Sequence, residues 1–405
     1  MSGLEARTER VIDPRGGANQ TRVRAYNERL VLSLIRRHGS LPNSEIARRS
    51  GLSAQTVSVI MRALENDGLI LRGEPIRGKV GQPSIPMHLN PEGVYSIGLK
   101  VGRRSANLVL VDFLGRELNA IHKTHKFPKP DKLLAFASEG IDRLCENMSL
   151  EQKSRIAGVG ISIPFELWNW AEKVGVAQEE MDGWRDFDFS FELEQLCGLP
   201  TFLQNDATSA CGAELVFGRG SELSDFVYFF IGTFIGGGIV LNHAVYTGRT
   251  GNAAALGPMP VTNKDGVAAP LIDHASIYGL ETKLLNADSD PSPIWLSPDD
   301  WSGLGEPLEE WICETAKYLA LAIVSSCAII DFEAAVIDGG FPADVRARLV
   351  EATKKEVVKL DLRGISEPQI FEGLVGNGAR ALGGASLPLF NRYLIDQSVL
   401  FKAVA

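Results

Sequence analysis

The chain has 405 residues, of which 45% are hydrophobic and 22% are charged, a composition typical of globular proteins. This length exceeds one compact core, so two or three domains are expected. The net charge of −9 by itself argues against a nucleic-acid partner, and five scattered cysteines with no C-x-x-C pair argue against a disulfide framework or a zinc cluster.

Two features of the sequence predict a cytoplasmic protein. The first ten residues, MSGLEARTER, contain no apolar stretch of the kind that a secretory signal carries. The most apolar helical segment, residues 318–330, is too short to span a bilayer. We therefore expect no membrane partner.

Charge is distributed unevenly along the chain. The first 85 residues carry 14 basic and 8 acidic side chains, whereas the remaining residues carry 27 basic and 42 acidic ones. A basic N-terminal domain on an acidic remainder is typical of a DNA-binding domain attached to a sensor. A solvated basic tail is the alternative.

The N-terminal domain is predicted to be a helix-turn-helix. Residues 1–20 are polar, and we expect a flexible arm there, before a domain that covers residues 21–89. Asn43 is predicted to cap a short second helix, Gly51 lies in the following turn, and Ser53 is predicted to cap the third helix. The apolar positions at helical spacing are Leu30, Val31, Leu34 and Ile35 in the first helix and Val57, Ile60, Met61 and Leu64 in the third.

A wing is predicted after the third helix. Residues 69–72 and 85–89 form two short strands around a basic loop at residues 73–81. The polar face of the third helix can reach base edges in the major groove, and the loop can reach phosphates or the minor groove. A three-helix interaction module without DNA is the alternative. The predicted DNA-binding residues are Ser53, Gln55, Thr56, Ser58, Arg62, Arg77 and Lys79.

The remainder of the chain, residues 90–405, repeats one pattern twice. Strand hairpins are followed by helices and further buried strands. This pattern predicts an α/β sensor domain of two lobes with a cleft between them, and a C-terminal helix that returns to the first lobe. The predicted strands are residues 97–102, 107–112, 156–164, 201–204, 226–231, 236–241 and 334–340, with a helix at residues 191–197.

Several stretches of this domain resemble the ROK group of repressors and sugar kinases, which has the actin-like ATPase fold. Their order along the chain is specific, although each stretch alone is weak evidence because glycine turns recur in many folds. The resemblance covers nearly the whole chain, including the winged helix-turn-helix. The stretches are Gly183-Trp184-Arg185, LPTFLQNDATSACGAE (199–214), IGTFIGGGIVLN (231–242), GNAAALGPMPV (251–261), YGLE (278–281) and IDGGF (337–341).

The resemblance implies a sugar site in the cleft. The family's Asn-Asp pair holds sugar hydroxyls, and its Asp activates the hydroxyl that attacks ATP; the pair here is Asn205 and Asp206. An ordinary Asn-Asp turn at a strand end is the alternative. Glu281 matches a family glutamate that contacts sugar, and Trp184 completes the set of predicted ligand-binding residues.

The family's zinc loop is altered in this chain. Ala255 stands where the family has a sugar-binding Glu, and Pro258 stands where it has a His that contacts both sugar and zinc. The family's cysteine cluster is missing, and His274 alone does not make a zinc site. We therefore expect no metal, and a loop held by packing.

The phosphate loops are altered as well. Lys100 stands where the kinases have the Asp that positions Mg²⁺, and Arg103 brings bulk where the backbone must approach phosphate. Phe234 replaces a glycine of the second loop. The basic loop could bind an anion such as a sugar phosphate, or its charges could lie at the surface or between lobes. We expect no catalytic residues and no cofactor.

These observations predict a multidomain, sugar-responsive transcriptional repressor whose pseudokinase domain senses a sugar or sugar derivative without phosphorylating it. The expected partners are a double-stranded DNA operator, the sugar and further copies of the chain, as a homodimer or a dimer of dimers. Two alternatives remain: an active ATP-dependent ROK-type sugar kinase, and a ligand-free scaffold for dimerisation or protein docking.

Overall fold

A computed structural model divides the chain into two compact units. These are Met1–Leu89 with Tyr393–Ala405, here called the head, and Asn90–Arg392, here called the body. The structure describes residues 20–76, 84–165, 167–171, 175–262 and 266–395. The C-terminal domain was predicted to run to residue 405, whereas residues 393–395, the last that the structure describes, group with the head. All but the last residue of the predicted N-terminal arm lies outside the described residues.

The apolar spacing of the head folds into α1 (Gln20–His38), α2 (Asn43–Ser50) and α3 (Ala54–Asn66). Gly51 ends α2 with a φ of 71° and starts the predicted turn. Ser53 Oγ accepts the Thr56 N–H at 3.1 Å, so the predicted cap of α3 is confirmed. The predicted cap at Asn43 is wrong, because Pro42 holds the N-cap position without a side-chain hydrogen bond and Asn43 is already helical. The predicted α3 core residues Val57, Ile60, Met61 and Leu64 are all buried.

A small antiparallel sheet completes the described part of the head. Its strands are β1 (Leu41–Pro42), β2 (Ile70–Arg72) and β3 (Pro86–Leu89), in the order β1-β3-β2. Ile70 and Leu89 are buried opposite each other, which anchors the wing to the helices. An antiparallel bridge between Ile76 and Ser84 continues the wing. The predicted contact residues Arg77 and Lys79 lie outside the described residues.

Residues 394 and 395 contribute to the head. Leu394 is buried, and the Ile395 N–H donates to Ser33 Oγ of α1 at 2.9 Å. The head is therefore assembled from two segments that are distant in sequence.

The first lobe of the body is built on a five-stranded sheet. Its strands are β4 (Tyr95–Val101), β5 (Ser105–Val111), β6 (Glu117–Thr124), β7 (Ile156–Ile163) and β8 (Thr201–Asn205). The order is β6-β5-β4-β7-β8, with β4, β7 and β8 parallel. The sequence did not predict β6, because nearly all its side chains are exposed and no apolar alternation marks it. The helices are α4 (Pro130–Leu144), α5 (Leu150–Ser154), α6 (Glu179–Asp182), α7 (Phe189–Cys197) and α8 (Asp206–Phe217).

The second lobe repeats the topology of the first. Its strands are β9 (Phe226–Ile231), β10 (Ile235–Leu241), β11 (Ala244–Tyr246), β14 (Ala334–Gly339) and β15 (Gln369–Glu372), and a hairpin is formed by β12 (Pro260–Thr262) and β13 (Ala268–Pro270). The sheet order is β11-β10-β9-β14-β15, which confirms the repeated pattern. The helices are α9 (Ile277–Asn286), α10 (Pro293–Leu296), α11 (Gly305–Ile329) and α12 (Ala343–Val357).

Two helices pack between the sheets. α8 packs against β10, while α13 (Ala379–Arg392) packs against β4, β7 and α8. The approach of α13 is close, since a Cβ at Gly160 would lie 1.8 Å from the Gly384 carbonyl oxygen and one at Gly98 would lie 2.1 Å from the Ala381 carbonyl oxygen. Glycine is therefore required at both strand positions.

The apolar segment at residues 318–330 is part of a longer helix than predicted. α11 starts at Gly305, and within the described residues Ser302–Ile329 is long and apolar enough to cross a membrane. However, 56% of that apolar window is buried inside the fold, where Trp311, Leu319 and Ile323 belong to the core of the second lobe. This burial is typical of a core helix.

Candidate functional site

The loops that follow β4, β7, β8 and β9 line one cleft of about 710 Å³ in the body. Ligands commonly bind at the carboxyl ends of parallel strands, because backbone groups and helix N-termini converge there. Arg103 follows β4, Phe165 follows β7, Asn205 ends β8 and Thr233 follows β9. The cleft therefore collects side chains from both lobes.

Asn205 and Asp206 both line this cleft, at the junction of β8 and α8. Asn205 Oδ1 caps α8 by accepting the N–H groups of Ala207 at 3.1 Å and Thr208 at 3.2 Å. Its amide oxygen is thus committed, and the amide nitrogen is the group that can serve a ligand. The sequence analysis gave a structural turn and a ligand role as alternatives for Asn205. Its side chain can serve both, because the oxygen caps the helix and the nitrogen can donate to a ligand.

Arg380 is a cleft residue that the sequence did not indicate. Its guanidinium Nη1 lies 3.2 Å from Asp206 Oδ2, and its Cζ lies 4.9 Å from the centre of the Phe230 ring. Both charged side chains are largely buried. Arg380 is 174 residues from its partner, so no local motif could have revealed the pair.

Glu281 does not line the cleft. Its carboxylate is held in a buried ion pair with Arg103 at 3.1 Å and a second one with Arg104 at 2.7 Å. Arg103 also lies over the Tyr278 ring at 5.4 Å. Each oxygen accepts one guanidinium N–H group, which leaves only the remaining lone pairs for a ligand, and the ligand role of Glu281 stays a prediction. The contact joins the loop after β4 in the first lobe to α9 in the second lobe, as expected for inter-lobe charges.

Trp184 is a core residue at the edge of the cleft. Its indole N–H donates to the Pro128 carbonyl at 2.9 Å, and its ring stacks on Phe189 with 5.8 Å between centroids. It can therefore offer a ligand only part of its ring surface.

Lys100 is buried beside the cleft. Its ammonium donates to the Ser105 carbonyl at 3.2 Å and to Ser105 Oγ at 2.9 Å. Burial holds the pKa of Lys100 well below its usual range, the charge of Arg380 lowers it further, and Asp206 opposes the shift. A buried ammonium costs stability unless an anion compensates it.

We expect replacement of Lys100 with methionine to raise the free energy of unfolding by about 1 kcal/mol at pH 7. The folded state binds the Lys100 proton less readily than the unfolded chain, so the wild-type protein loses stability as the pH falls below about 10.4. The increase in the free energy of unfolding that Lys100→Met produces should therefore be larger at pH 7 than at pH 10, as measured by urea unfolding. The same change at exposed Lys132 is the control, and equal gains for both variants would contradict the expectation.

The residues at the phosphate loops do not fit a magnesium nucleotide. Lys100 offers no ligand oxygen where a carboxylate would hold the metal. Phe234 and Tyr278 pack with ring centroids 5.9 Å apart, next to the Arg103–Glu281 ion pair. Aromatic rings and a paired charge thus lie at the loops where the resemblance places the phosphate contacts.

The altered zinc loop is anchored by the buried side chain of Leu256 and by backbone hydrogen bonds from Ile272 to Gly257 at 2.9 Å and from Leu271 to Met259 at 2.8 Å. Ala255 and Pro258 line the cleft with exposed apolar side chains. The His274 ring stacks on Tyr318 with 3.9 Å between centroids, and its Nδ1 lies 3.7 Å from the Glu314 carboxylate. Across the described part of the chain, no three His, Cys, Asp or Glu side chains are grouped to hold a metal.

An aromatic wall, defined here as Phe165, Trp168 and Phe187, also lines the cleft in the first lobe. All three side chains are partly buried. The sequence interpretation missed this wall, although the run FELWNW directly after a buried strand was a usable signal.

The exposed face of α3 is the candidate DNA contact of the head. Gln55 is exposed at its N-terminal end, while exposed Arg62 donates from Nε to the Ser58 carbonyl of its own helix at 3.3 Å. Ser53 and Thr56 hydroxyls bond each other at 2.8 Å and serve the cap. Gln55 is thus the predicted residue best placed to read a base edge. The Arg62 side chain can contact DNA only after it breaks its hydrogen bond with the Ser58 carbonyl.

Comparison with known proteins supports both units. A model described as ROK family matches residues 96–274, and a model described as winged helix-turn-helix DNA-binding matches residues 24–70. The uncharacterized protein y4fQ of Sinorhizobium fredii is 25% identical, with 91% of this chain and 92% of that protein aligned. The xylose repressor of Bacillus subtilis is 24% identical over 60% of this chain, and the match spans 62% of the repressor's length.

Solved structures with the same fold include a regulator and a kinase. One is a ROK family transcriptional regulator described as a homolog of the E. coli MLC protein, with a TM-score of 0.67, 20% identity and coverage of 94% of this chain and 99% of the other. Another is a ROK family glucokinase from Streptomyces griseus, with a TM-score of 0.56, 21% identity and coverage of 72% and 98%. The chain therefore combines a segment that matches a winged helix-turn-helix DNA-binding domain with a segment that matches the ROK family, in a body that shares the fold of the family's sugar kinases, and this agrees with the resemblance that its motifs predicted.

Proposed function

We propose that the protein is a sugar-responsive, DNA-binding transcriptional repressor. The observation that carries this proposal is the presence, in one chain, of an exposed recognition helix and a ligand-sized cleft bordered by Asn205 and Asp206. Relatives that are named xylose repressor support the regulatory role.

We propose further that the body senses its sugar without phosphorylating it. A kinase needs a carboxylate for Mg²⁺ and open backbone around the phosphates. Here Lys100, Phe234 and the Arg103–Glu281 ion pair occupy those positions. The fold is shared with kinases, but these residues favour binding over catalysis.

The sugar is proposed to lie on Asn205 and Asp206, with Trp184 contributing ring surface. Arg380 holds the Asp206 carboxylate in one orientation, so sugar hydroxyls would meet a fixed acceptor. Binding would then favour one arrangement of the two lobes over another. This shift would alter operator affinity in a homodimer that binds a pseudo-palindromic site in the cytoplasm.

The DNA contacts are proposed to come from the exposed face of α3 and from the wing. Gln55 would read a base edge, and Ser58, Arg62, Arg77 and Lys79 would contribute further contacts. Ser53 and Thr56 would act mainly by capping the helix that presents these groups.

The proposal is tested with the full chain and a random DNA pool. We expect selection of one sequence that binds about 10³-fold or more tightly than random DNA at fixed salt. At least one free hexose or pentose should change that affinity by about 10-fold. The same sugars incubated with Mg²⁺ and ATP should yield no sugar phosphate.

Asp206→Asn is the matched variant, because it keeps the side-chain shape and removes the charge. It should abolish the sugar effect and leave the operator affinity of the sugar-free protein unchanged. Binding to DNA without sequence preference would refute the repressor function. An operator affinity that no sugar changes would favour the ligand-free scaffold. Steady phosphorylation of a sugar would establish a kinase.

A further inference from the structure

The cleft has two regions of different chemistry. Asn205, Asp206 and Arg380 form a polar corner where β8, α8 and α13 meet. Much of the remaining lining is apolar and comes from both lobes. It includes Phe165, Trp168, Phe187, Leu203, Ala255 and Pro258.

This apolar lining is accessible rather than packed away. Leu203 is 45% exposed, Ala255 and Pro258 are exposed, and the aromatic wall is only partly buried. Accessible apolar side chains gathered in a concave site usually mark a ligand or partner surface, because leaving them in water costs free energy.

The size of the cleft indicates a ligand larger than one sugar ring. Its volume of about 710 Å³ lies within the range of pockets that hold drug-sized ligands, and a single sugar ring would leave much of it as solvent. Outside the polar corner the lining has few polar side chains, which include Asp188, Thr250 and Asn252. A second sugar ring that met Leu203, Ala255 and Pro258 would gain no hydrogen bond from their side chains.

We propose that the effector is a glycoside with an apolar aglycone, such as an aryl or alkyl group. The sugar hydroxyls meet Asn205 and Asp206, and the aglycone lies against the aromatic wall and the Ala255–Pro258 side of the cleft. This inference rests on the proposed sugar-sensing function and names the class of ligand. Ala255 and Pro258, which stand where the family has polar residues, would then favour ligands that carry an apolar aglycone.

Calorimetry with the full chain tests the inference. The probes are glucose, galactose and xylose, each as the free sugar, as its methyl α- and β-glycosides and as its phenyl α- and β-glycosides, together with cellobiose and lactose. One phenyl glycoside should bind about 10- to 100-fold more tightly than its methyl counterpart, as expected for burial of one aromatic ring.

Two cleft variants and one control locate the effect. Ala255→Glu and Trp168→Ala should each reduce the phenyl-over-methyl preference at least several-fold while the methyl glycoside still binds. Leu150→Ala, at a highly exposed position away from the cleft, should keep the preference. Circular dichroism and a melting curve confirm that each variant is folded.

The possible results separate the inference from the proposed function. Equal affinity for methyl and phenyl glycosides, or tighter binding of a disaccharide, would overturn the aglycone inference and leave sugar sensing intact. A preference that survives both cleft variants would also overturn it. Failure of every sugar and glycoside to bind would remove the proposed sugar-sensing function together with the inference.

Discussion

Replacing Glu281 with alanine will lower the free energy of unfolding of the body by about 3 kcal/mol or more. Arg103 and Glu281 expose only 7% and 9% of their side-chain surfaces, so loss of the carboxylate leaves a buried guanidinium without its anion. Removal of one partner from a buried ion pair is strongly destabilising for this reason. Urea unfolding followed by tryptophan fluorescence measures the effect in the body alone, because all six tryptophans lie there.

A surface pair supplies the control for this measurement. Glu309 pairs with Arg348 at an exposed position, and Glu309→Ala should cost less than about 1 kcal/mol. The double variant Arg103→Ala, Glu281→Ala should cost at least 1 kcal/mol less than the sum of the single variants, roughly as coupled neighbours behave. Equal costs for Glu281→Ala and Glu309→Ala would contradict the prediction, because they would show that the buried ion pair matters no more than the exposed one.

Replacing Gln55 with alanine will weaken operator binding by about 5- to 150-fold, equivalent to about 1–3 kcal/mol. A glutamine at the start of a recognition helix can form two hydrogen bonds with one adenine, and alanine can form none. Fluorescence anisotropy with the selected operator and with random DNA of equal length measures the loss. Affinity for random DNA should change little, because phosphate contacts dominate it.

Asn66 provides a matched control on the same helix. It carries the same amide group, is exposed, and lies at the C-terminal end of α3. Asn66→Ala should leave operator affinity within about 2-fold of wild type, since the N-terminal half of a recognition helix enters the groove. A uniform loss on both DNAs for Gln55→Ala would assign Gln55 to the backbone rather than to a base.

The fold of the head follows from local patterns. The spacing of Val57, Ile60, Met61 and Leu64 predicted the buried face of α3, and Ser53 was recognised as its cap. The error at Asn43 arose because residue type alone cannot show where the helical dihedral angles begin. Pro42, with its fixed φ, is the residue at that boundary.

The body shows where sequence patterns stop being informative. Buried strands such as β7 and β14 were predicted from their apolar runs, whereas exposed β6 had no such signal. Asn205 and Asp206 do meet in the cleft because they are adjacent at a strand end. The partners of Asp206 and Glu281, which are Arg380 and Arg103, are more than 170 residues away, and only the tertiary fold reveals them.

The hydrogen bond between Ile395 and Ser33 has a consequence for biosynthesis. It joins residues that are 362 positions apart, so the head cannot be completed until Ile395 has been synthesised. Contacts of such sequence separation form late, because the chain entropy of closure precedes any gain from the contact. A fragment that ends at Leu89 would lack buried Leu394 as well. Completion of the head is therefore coupled to synthesis of the entire body.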